Sequence, residues 1–324
     1  MTSQTPPIID SAFRRDVLNG LTHYPKYLYS KYIYDEAGDA LFQQIMELPE
    51  YYLTKCEFEI LATHTAEIAN AFRGNENGFD LIELGAGDGK KTKILLKYLT
   101  ENNFNFVYKP IDISENAIDK LSKALTEEIP EVQVDGEKGE YFEVLERLQG
   151  FTSRKKVIMV LGSNIGNLLH DRAIEFLSKL NDTMSDEDML FMGFDQKKDP
   201  QRILDAYNDK TGVTAAFNKN LLVRINKELG ANFDVSKFKH WERYDPETGT
   251  AKSFLVATED HDIYIETLDL KVHFDIWETI HTEISQKYDD KVVQWLAEES
   301  GLRIETTFAD PKNYYKDYLF RKKK

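Results

Sequence analysis

The segment from Phe79 to Leu99 constrains this chain more than any other. An apolar run, Phe79-Asp80-Leu81-Ile82-Glu83-Leu84, meets a glycine cluster, Gly85-Ala86-Gly87-Asp88-Gly89, and a helical pattern follows from Thr92 to Leu99. Strand, tight turn and helix in that order are the repeating unit of a parallel α/β sheet. Glycines at such a turn let the backbone bend sharply and approach a nucleotide-like ligand closely. Taken alone, the G-x-G-x-G spacing of Gly85, Gly87 and Gly89 fits a plain strand-to-helix turn equally well.

The neighbouring segments add meaning to the turn. A second strand, Phe106 to Ile111, precedes Asp112, and Ser114 stands where it would cap a helix from Glu115 to Thr126. Asp112 therefore falls past a strand tip, roughly 20 residues beyond the glycines, where an acid can pair with the two hydroxyls of a ribose. Capping the next helix is the plainer role open to it. Glu83, just before Leu84-Gly85, separates two ligand classes: its charge suits the cationic methionine end of S-adenosylmethionine and would repel a pyrophosphate. A third strand exit, Leu161-Gly162-Ser163-Asn164-Ile165-Gly166-Asn167, brings small and amide residues to the same sheet edge. Gly162 joins the cofactor set there, and Asn167 either reaches ligand or serves as a turn amide.

Further strands are expected at Val157 to Leu161 and Met189 to Phe194, with a helix from Phe58 to Phe72 before the glycine turn. After Asp195 the texture changes to a polar, helix-rich stretch and then to strand-like pieces, Ser253 to Ala257 and Asp262 to Ile265. Toward the end, a helix from Lys291 to Ser300 and strands from Arg303 to Phe308 and Tyr314 to Phe320 return to the first sheet, so a second module is inserted into the first. With 41% hydrophobic residues the chain can bury a core, and it has no apolar run near the ~20 residues of a membrane helix. A net charge of −15 disfavours nucleic acid, anionic membrane and polyanionic substrates as partners. One cysteine, Cys56, and an amino terminus without a secretory pattern fit a reducing cytoplasm. The seven histidines lack metal-ligand spacing, so no metal is expected.

Several longer strings complete the pattern: Ile33-Tyr34-Asp35-Glu36-Ala37-Gly38, Leu48-Pro49-Glu50-Tyr51-Tyr52-Leu53-Thr54, Asp199-Pro200 through Tyr207 to Asn218, and Ile280-His281-Thr282-Glu283-Ile284-Ser285. With the glycine turn and Leu161 to Asn167, they make the chain resemble the histidine-specific, S-adenosylmethionine-dependent N-methyltransferases of ergothioneine biosynthesis over nearly its whole length. The resemblance implies three successive methyl transfers to the α-amine of histidine, giving hercynine and S-adenosylhomocysteine. It also implies a Rossmann-like methyltransferase domain from 61–196 plus 286–324, and an α+β substrate-binding module from 1–60 plus 197–285.

Carried over by position, the resemblance puts Tyr34 beside the amine and the methyl donor. Tyr51, Asn167 and Tyr207 would hold the amino and carboxylate groups, and Glu283 and Ser285 would read the imidazole. Gly85, Lys91 and Asp112 match cofactor positions, and Glu140-Tyr141 is the best fit to a later one. As a bare string, Thr282 to Ser285 reads as a helix start or a half-exposed strand. The family pattern is departed from at Asp88-Gly89, where small hydroxylated residues are expected, and at Ser253, where an apolar pocket residue is expected. Ser253 keeps another amino acid, such as tryptophan, open as substrate, and a non-catalytic cofactor-binding protein is the alternative outside the enzymes. A monomer acting on a small amino acid is the expected form.

Overall fold

A computed structural model describes residues 11–74, 77–112, 115–139, 141–149 and 154–323. In chain order its elements are α1 (Ser11–Thr22), β1 (Lys26–Tyr27), α2 (Glu36–Glu47), α3 (Tyr52–Thr63), α4 (Thr65–Phe72), β2 (Phe79–Leu84), α5 (Thr92–Glu101), β3 (Phe106–Asp112), α6 (Glu115–Glu128), β4 (Glu137–Lys138), α7 (Tyr141–Gln149), β5 (Lys155–Val160), α8 (His170–Thr183) and β6 (Met189–Asp195). Then come α9 (Pro200–Tyr207), α10 (Val213–Leu229), β7 (Phe238–Asp245), β8 (Thr250–Ala257), β9 (His261–Ile265), β10 (Leu270–Phe274), β11 (Thr279–Gln286), α11 (Asp290–Glu299), β12 (Leu302–Ala309) and β13 (Tyr315–Lys322). The chain divides into two compact units, one made of Met1–Tyr52 with Lys198–Ser285, the other of Leu53–Lys197 with Gln286–Lys324.

The second of these, the sheet unit, carries a Rossmann-like sheet in the order β12-β13-β6-β5-β2-β3-β4. β2 to β6 run parallel, and β13 joins antiparallel to both β6 and β12. β2 and β6 are buried along their whole length, as mostly apolar strands in a doubly covered parallel sheet are. From β2 the chain moves outward to β3 and β4, then returns to β5 on the other flank of β2. That reversal opens a crevice at the carboxyl ends of β2 and β5, where ligands of such sheets bind. Ile82, Leu84, Ile158, Val160, Leu190 and Phe194 build much of the core beneath it.

The other unit holds a sheet ordered β1-β11-β8-β7 and a β9–β10 hairpin. α10 packs against α2, β7 and β8. Asn220 on α10 donates to Ile33 O at 3.0 Å and to Asp35 Oδ1 at 2.7 Å, and Asp35 in turn caps α2 by accepting from Gly38 N at 2.9 Å. These bonds fix the short loop that carries Tyr34.

One expected helix, Phe58 to Phe72, is two. α3 ends at Thr63 and α4 begins at Thr65, because the Thr65 hydroxyl bonds back to the Leu61 and Ala62 carbonyls and competes for the helix's own acceptors. The strand expected from Val157 to Leu161 runs instead from Lys155 to Val160, since Leu161 already belongs to the turn. The cap expected at Ser114 lies outside the described residues. No helix among the described residues is long and apolar enough to cross a membrane.

Candidate functional site

In the sheet unit, the described backbone of the expected cofactor residues Gly85, Lys91, Asp112 and Gly162 follows or ends strands at the carboxyl edge of the sheet. Gly85 N donates to Ile111 O at 2.9 Å, so the glycine turn opens directly beside Asp112, the last residue of β3. Gly85, Gly87 and Gly89 all have positive φ. A side chain on Gly87 would meet nothing within 4 Å, so the turn presents bare backbone to open space, the cradle a flat nucleoside needs. Asp88, the departure from the family pattern, accepts from Lys90 N at 3.1 Å and closes the turn as a hydroxyl would.

Glu83 lies under this turn's sequence but is not open to solvent. It is 3% exposed, and its oxygens accept from the Thr92 hydroxyl at 2.7 Å and from the Tyr108 hydroxyl. Burial raises its pKa to about 7, against the pull of those two hydroxyls and of Lys91. Lys91 itself is bonded to Glu57, whose carboxylate also accepts from the peptide N–H of Gly162 at the exit of β5. Burial alone would lower the Lys91 pKa, but the charge and hydrogen bond of Glu57, with Glu83 and Asp317, together more than offset it, and the group stays an ammonium. Asn167 ends the short 3-10 turn Asn164–Asn167 that follows β5, and it is exposed. Glu140 lies outside the described residues, as does the side chain of Tyr141, which opens α7.

In the other unit, Tyr51, Tyr207 and Glu283 line one narrow pocket with Phe42, Ile45, Ala206, Thr214 and Phe217. Tyr207 closes α9, a helix started by Asp199 as cap and Pro200 at its first position, and its hydroxyl lies 2.7 Å from Ser285 Oγ. Glu283 and Ser285 both belong to β11. The ring of Tyr34 sits 5.6 Å from that of Phe42 and 5.3 Å from that of Phe217, while Tyr51 and Tyr207 rings are 6.3 Å apart. Tyr34 keeps 37% of its surface open, yet the protein crowded around it desolvates the hydroxyl; with the Glu283 carboxylate adding to this, its pKa is pushed well above the usual phenol range. Of the other early tyrosines, Tyr32 donates to Asp16 at 2.7 Å and Tyr24 is exposed.

Ser253 is absent from the pocket lining. Its hydroxyl donates to Glu242 Oε2 at 2.7 Å across the β7–β8 pair, so the polar group is satisfied within the sheet. The residue that sequence patterning missed is Glu57. A detectable signal existed: Leu53, Cys56, Ile60 and Leu61 trace the buried stripe of α3, and Glu57 falls inside it.

A parallel sheet with its glycine turn at the switch point and an acid at the next strand tip is the arrangement of a site for a nucleoside-containing cofactor, and the sequence relatives fix the class as S-adenosylmethionine-dependent methyltransferases. The sequence profile of "Histidine-specific methyltransferase, SAM-dependent" matches residues 13–322, and the chain belongs to that family. It is 38% identical to the histidine N-alpha-methyltransferase of Mycolicibacterium smegmatis over 93% of this chain and 92% of that protein. It is 36% identical to the enzyme of the same name from Mycobacterium tuberculosis, over 90% and 92%. A 4-dimethylallyltryptophan N-methyltransferase of Epichloe festucae var. lolii is more distant, 24% identical over 91% of this chain and 90% of that protein.

Proposed function

We propose that the protein transfers methyl groups from S-adenosylmethionine to the α-amine of L-histidine, three times in succession, giving hercynine. One observation carries the choice of substrate: a single carboxylate, Glu283, in a pocket otherwise walled by aromatic rings, aliphatic side chains and hydroxyls. Such a pocket suits a small planar ring with an N–H to donate, and Ser285, bonded to Tyr207, offers a second polar contact for the other ring nitrogen. The Tyr51 and Tyr207 hydroxyls, with Asn167, are assigned the amino and carboxylate groups.

The donor residues fit S-adenosylmethionine. The open space at Gly87 accepts a nucleoside against bare backbone, Asp112 pairs with ribose hydroxyls, and Glu83 is the acid assigned to the cationic methionine end. Gly85, Lys91, Gly162 and the Glu140-Tyr141 pair complete the set assigned to it. When bound, it supplies a methyl group on a sulfonium, an electrophile whose leaving group is already good. What remains for the protein is to orient and dehydrate the nucleophile. Tyr34, kept a neutral phenol by its raised pKa, offers its oxygen to orient the amine and does not serve as a phenolate base at neutral pH. As the amine gains methyl groups and a fixed charge, the surrounding tyrosine rings present cation-attracting faces that tolerate the added bulk.

The methyltransferase domain is assigned to 61–196 plus 286–324 and the substrate-binding module to 1–60 plus 197–285; the two compact units divide instead after Tyr52 and Lys197, so that residues 53–60 and 197 pack with the sheet unit. The single cysteine suits a cytoplasmic enzyme, and a small amino acid is the partner a monomer of this kind needs. The test is isothermal titration with each common amino acid in the presence of S-adenosylhomocysteine, followed by mass analysis after incubation with the methyl donor. Histidine gaining three methyl groups supports the proposal. Methylation of tryptophan or another amino acid in its place moves the substrate, and binding without methyl transfer turns the reading to a non-catalytic binder.

A further inference from the structure

Glu57 is completely buried, yet every side of its carboxylate is engaged. Gly162 N donates to both of its oxygens, at 2.8 and 3.0 Å, the Tyr315 hydroxyl donates at 2.8 Å, and the Lys91 ammonium completes the set. A buried anion with this many donors is held in one geometry, since losing any of them leaves a desolvated group unpaired.

Asp317 on β13 stands beside it, also completely buried, and neither of its oxygens has a hydrogen-bond partner among the described residues. Burial first, and then the Glu57 charge, pushes its pKa well above the usual carboxylate range, while Lys91 pulls the other way. Asp317 therefore stays a neutral acid. The remaining charged groups nearby are Glu83, which faces Lys91, and Asp195, which is paired with Lys287 at 2.8 Å. Room for the cluster comes from Gly193, opposite Asp317 in the β6–β13 register. A Cβ there would overlap the Tyr315 hydroxyl and Glu57 Oε1 and come 2.9 Å from Asp317 Oδ1.

We propose that Glu57 is the positioning residue of the methyl-donor site, one carboxylate that fixes both the Lys91 ammonium beside the glycine turn and the Gly162 peptide at the exit of β5. This rests on the donor site assigned above. Glu57 touches no substrate in this account; it acts through Lys91 and Gly162, so that two groups from separate strand exits keep a constant spacing before the donor arrives. Without it, Lys91 is a half-buried cation with no fixed partner and the Gly162 N–H is orphaned.

The experiment is the Glu57→Gln variant, with S-adenosylhomocysteine affinity read by titration and KM measured separately for the methyl donor and for histidine. S-adenosylhomocysteine Kd and donor KM rise about 10-fold, the loss expected for a charge-assisted bond, while histidine KM moves little. Tyr315→Phe, which removes one donor to Glu57, raises donor KM about 3-fold in the same selective way, and it decides the matter should Glu57→Gln fail to fold. A merely structural role moves both KM values together, and that result overturns the inference, as does unchanged donor KM in both variants. Wild-type protein that binds no S-adenosylhomocysteine overturns the donor-site reading as well; wild type and Glu57→Gln binding it equally overturn this inference alone.

Discussion

The sheet unit buries Glu57 completely and Glu83 to 3%, each with hydroxyl, ammonium or peptide donors aimed at its oxygens. In the other unit the corresponding groups stand among rings: Tyr34 is 37% exposed between Phe42 and Phe217, and Tyr51, Tyr207 and Glu283 share a pocket with them. One region fixes position with charge in a dry interior, where geometry is rigid because every alternative is costly. The other fixes it with packed rings and polar tips, contacts that are individually weaker and easier to re-pack.

Among the described residues, His240 in one unit and Asp317 in the other are buried with no hydrogen-bond partner for any side-chain nitrogen or oxygen, and the two respond to pH in opposite senses. His240 on β7 is 7% exposed, and neither ring nitrogen has a hydrogen-bond partner among the described residues. Burial lowers its pKa to about 4, with Lys219 adding to the effect and Asp209 opposing it. It is neutral when folded and takes up a proton on unfolding below pH ~6.5, so stability falls as pH drops from ~6.5 toward 4, by about 3 kcal/mol in all. Melting curves across that range should show the loss, and His240→Leu should remove most of it; an equally acid-sensitive variant would count against the assignment.

Next in size is Glu283→Ala. Loss of a charged hydrogen bond raises histidine KM by about 10- to 100-fold, with S-adenosylhomocysteine affinity little changed. Equal damage to both ligands would dissolve the contrast between the regions. The remaining contrast is tested by Asp317→Asn, for which only the sign is predicted. Because the native acid keeps a proton that the unfolded chain releases above its ordinary pKa, the wild type loses stability as pH rises toward the raised value. The asparagine variant should melt higher than wild type at pH 8, with the gap closing toward pH 4; a gap that widens in acid would reverse the sign argued here.

Legibility in the sequence followed the same division. The strand from Phe79 to Leu84 coincides with β2 because burial on both faces writes a mostly apolar run, broken only by Asp80 and Glu83. The glycine turn and Asp112 were readable for a related reason: local backbone chemistry restricts which residues can stand there. Glu283 and Ser285 were visible only through family strings, since a half-exposed strand carries such residues without any ligand. Asp317 was hidden altogether. It alternates along β13 with Lys316 and Tyr318, and nothing in that pattern tells that its side chain meets Glu57, 260 positions earlier in the chain. The break at His64 was missed because one hydroxyl, that of Thr65, redirects bonds that periodicity assumes are helical.

Gly193 ties these distant positions together in space, and the crowding sets an expectation for descent. Because no side chain fits between Tyr315, Glu57 and Asp317, substitution at 193 becomes tolerable only after one of the three has shrunk or turned away. Lineages that drift at 193 should therefore carry a paired change at 57, 315 or 317, leaving a correlated signature among homologues that no single position would reveal.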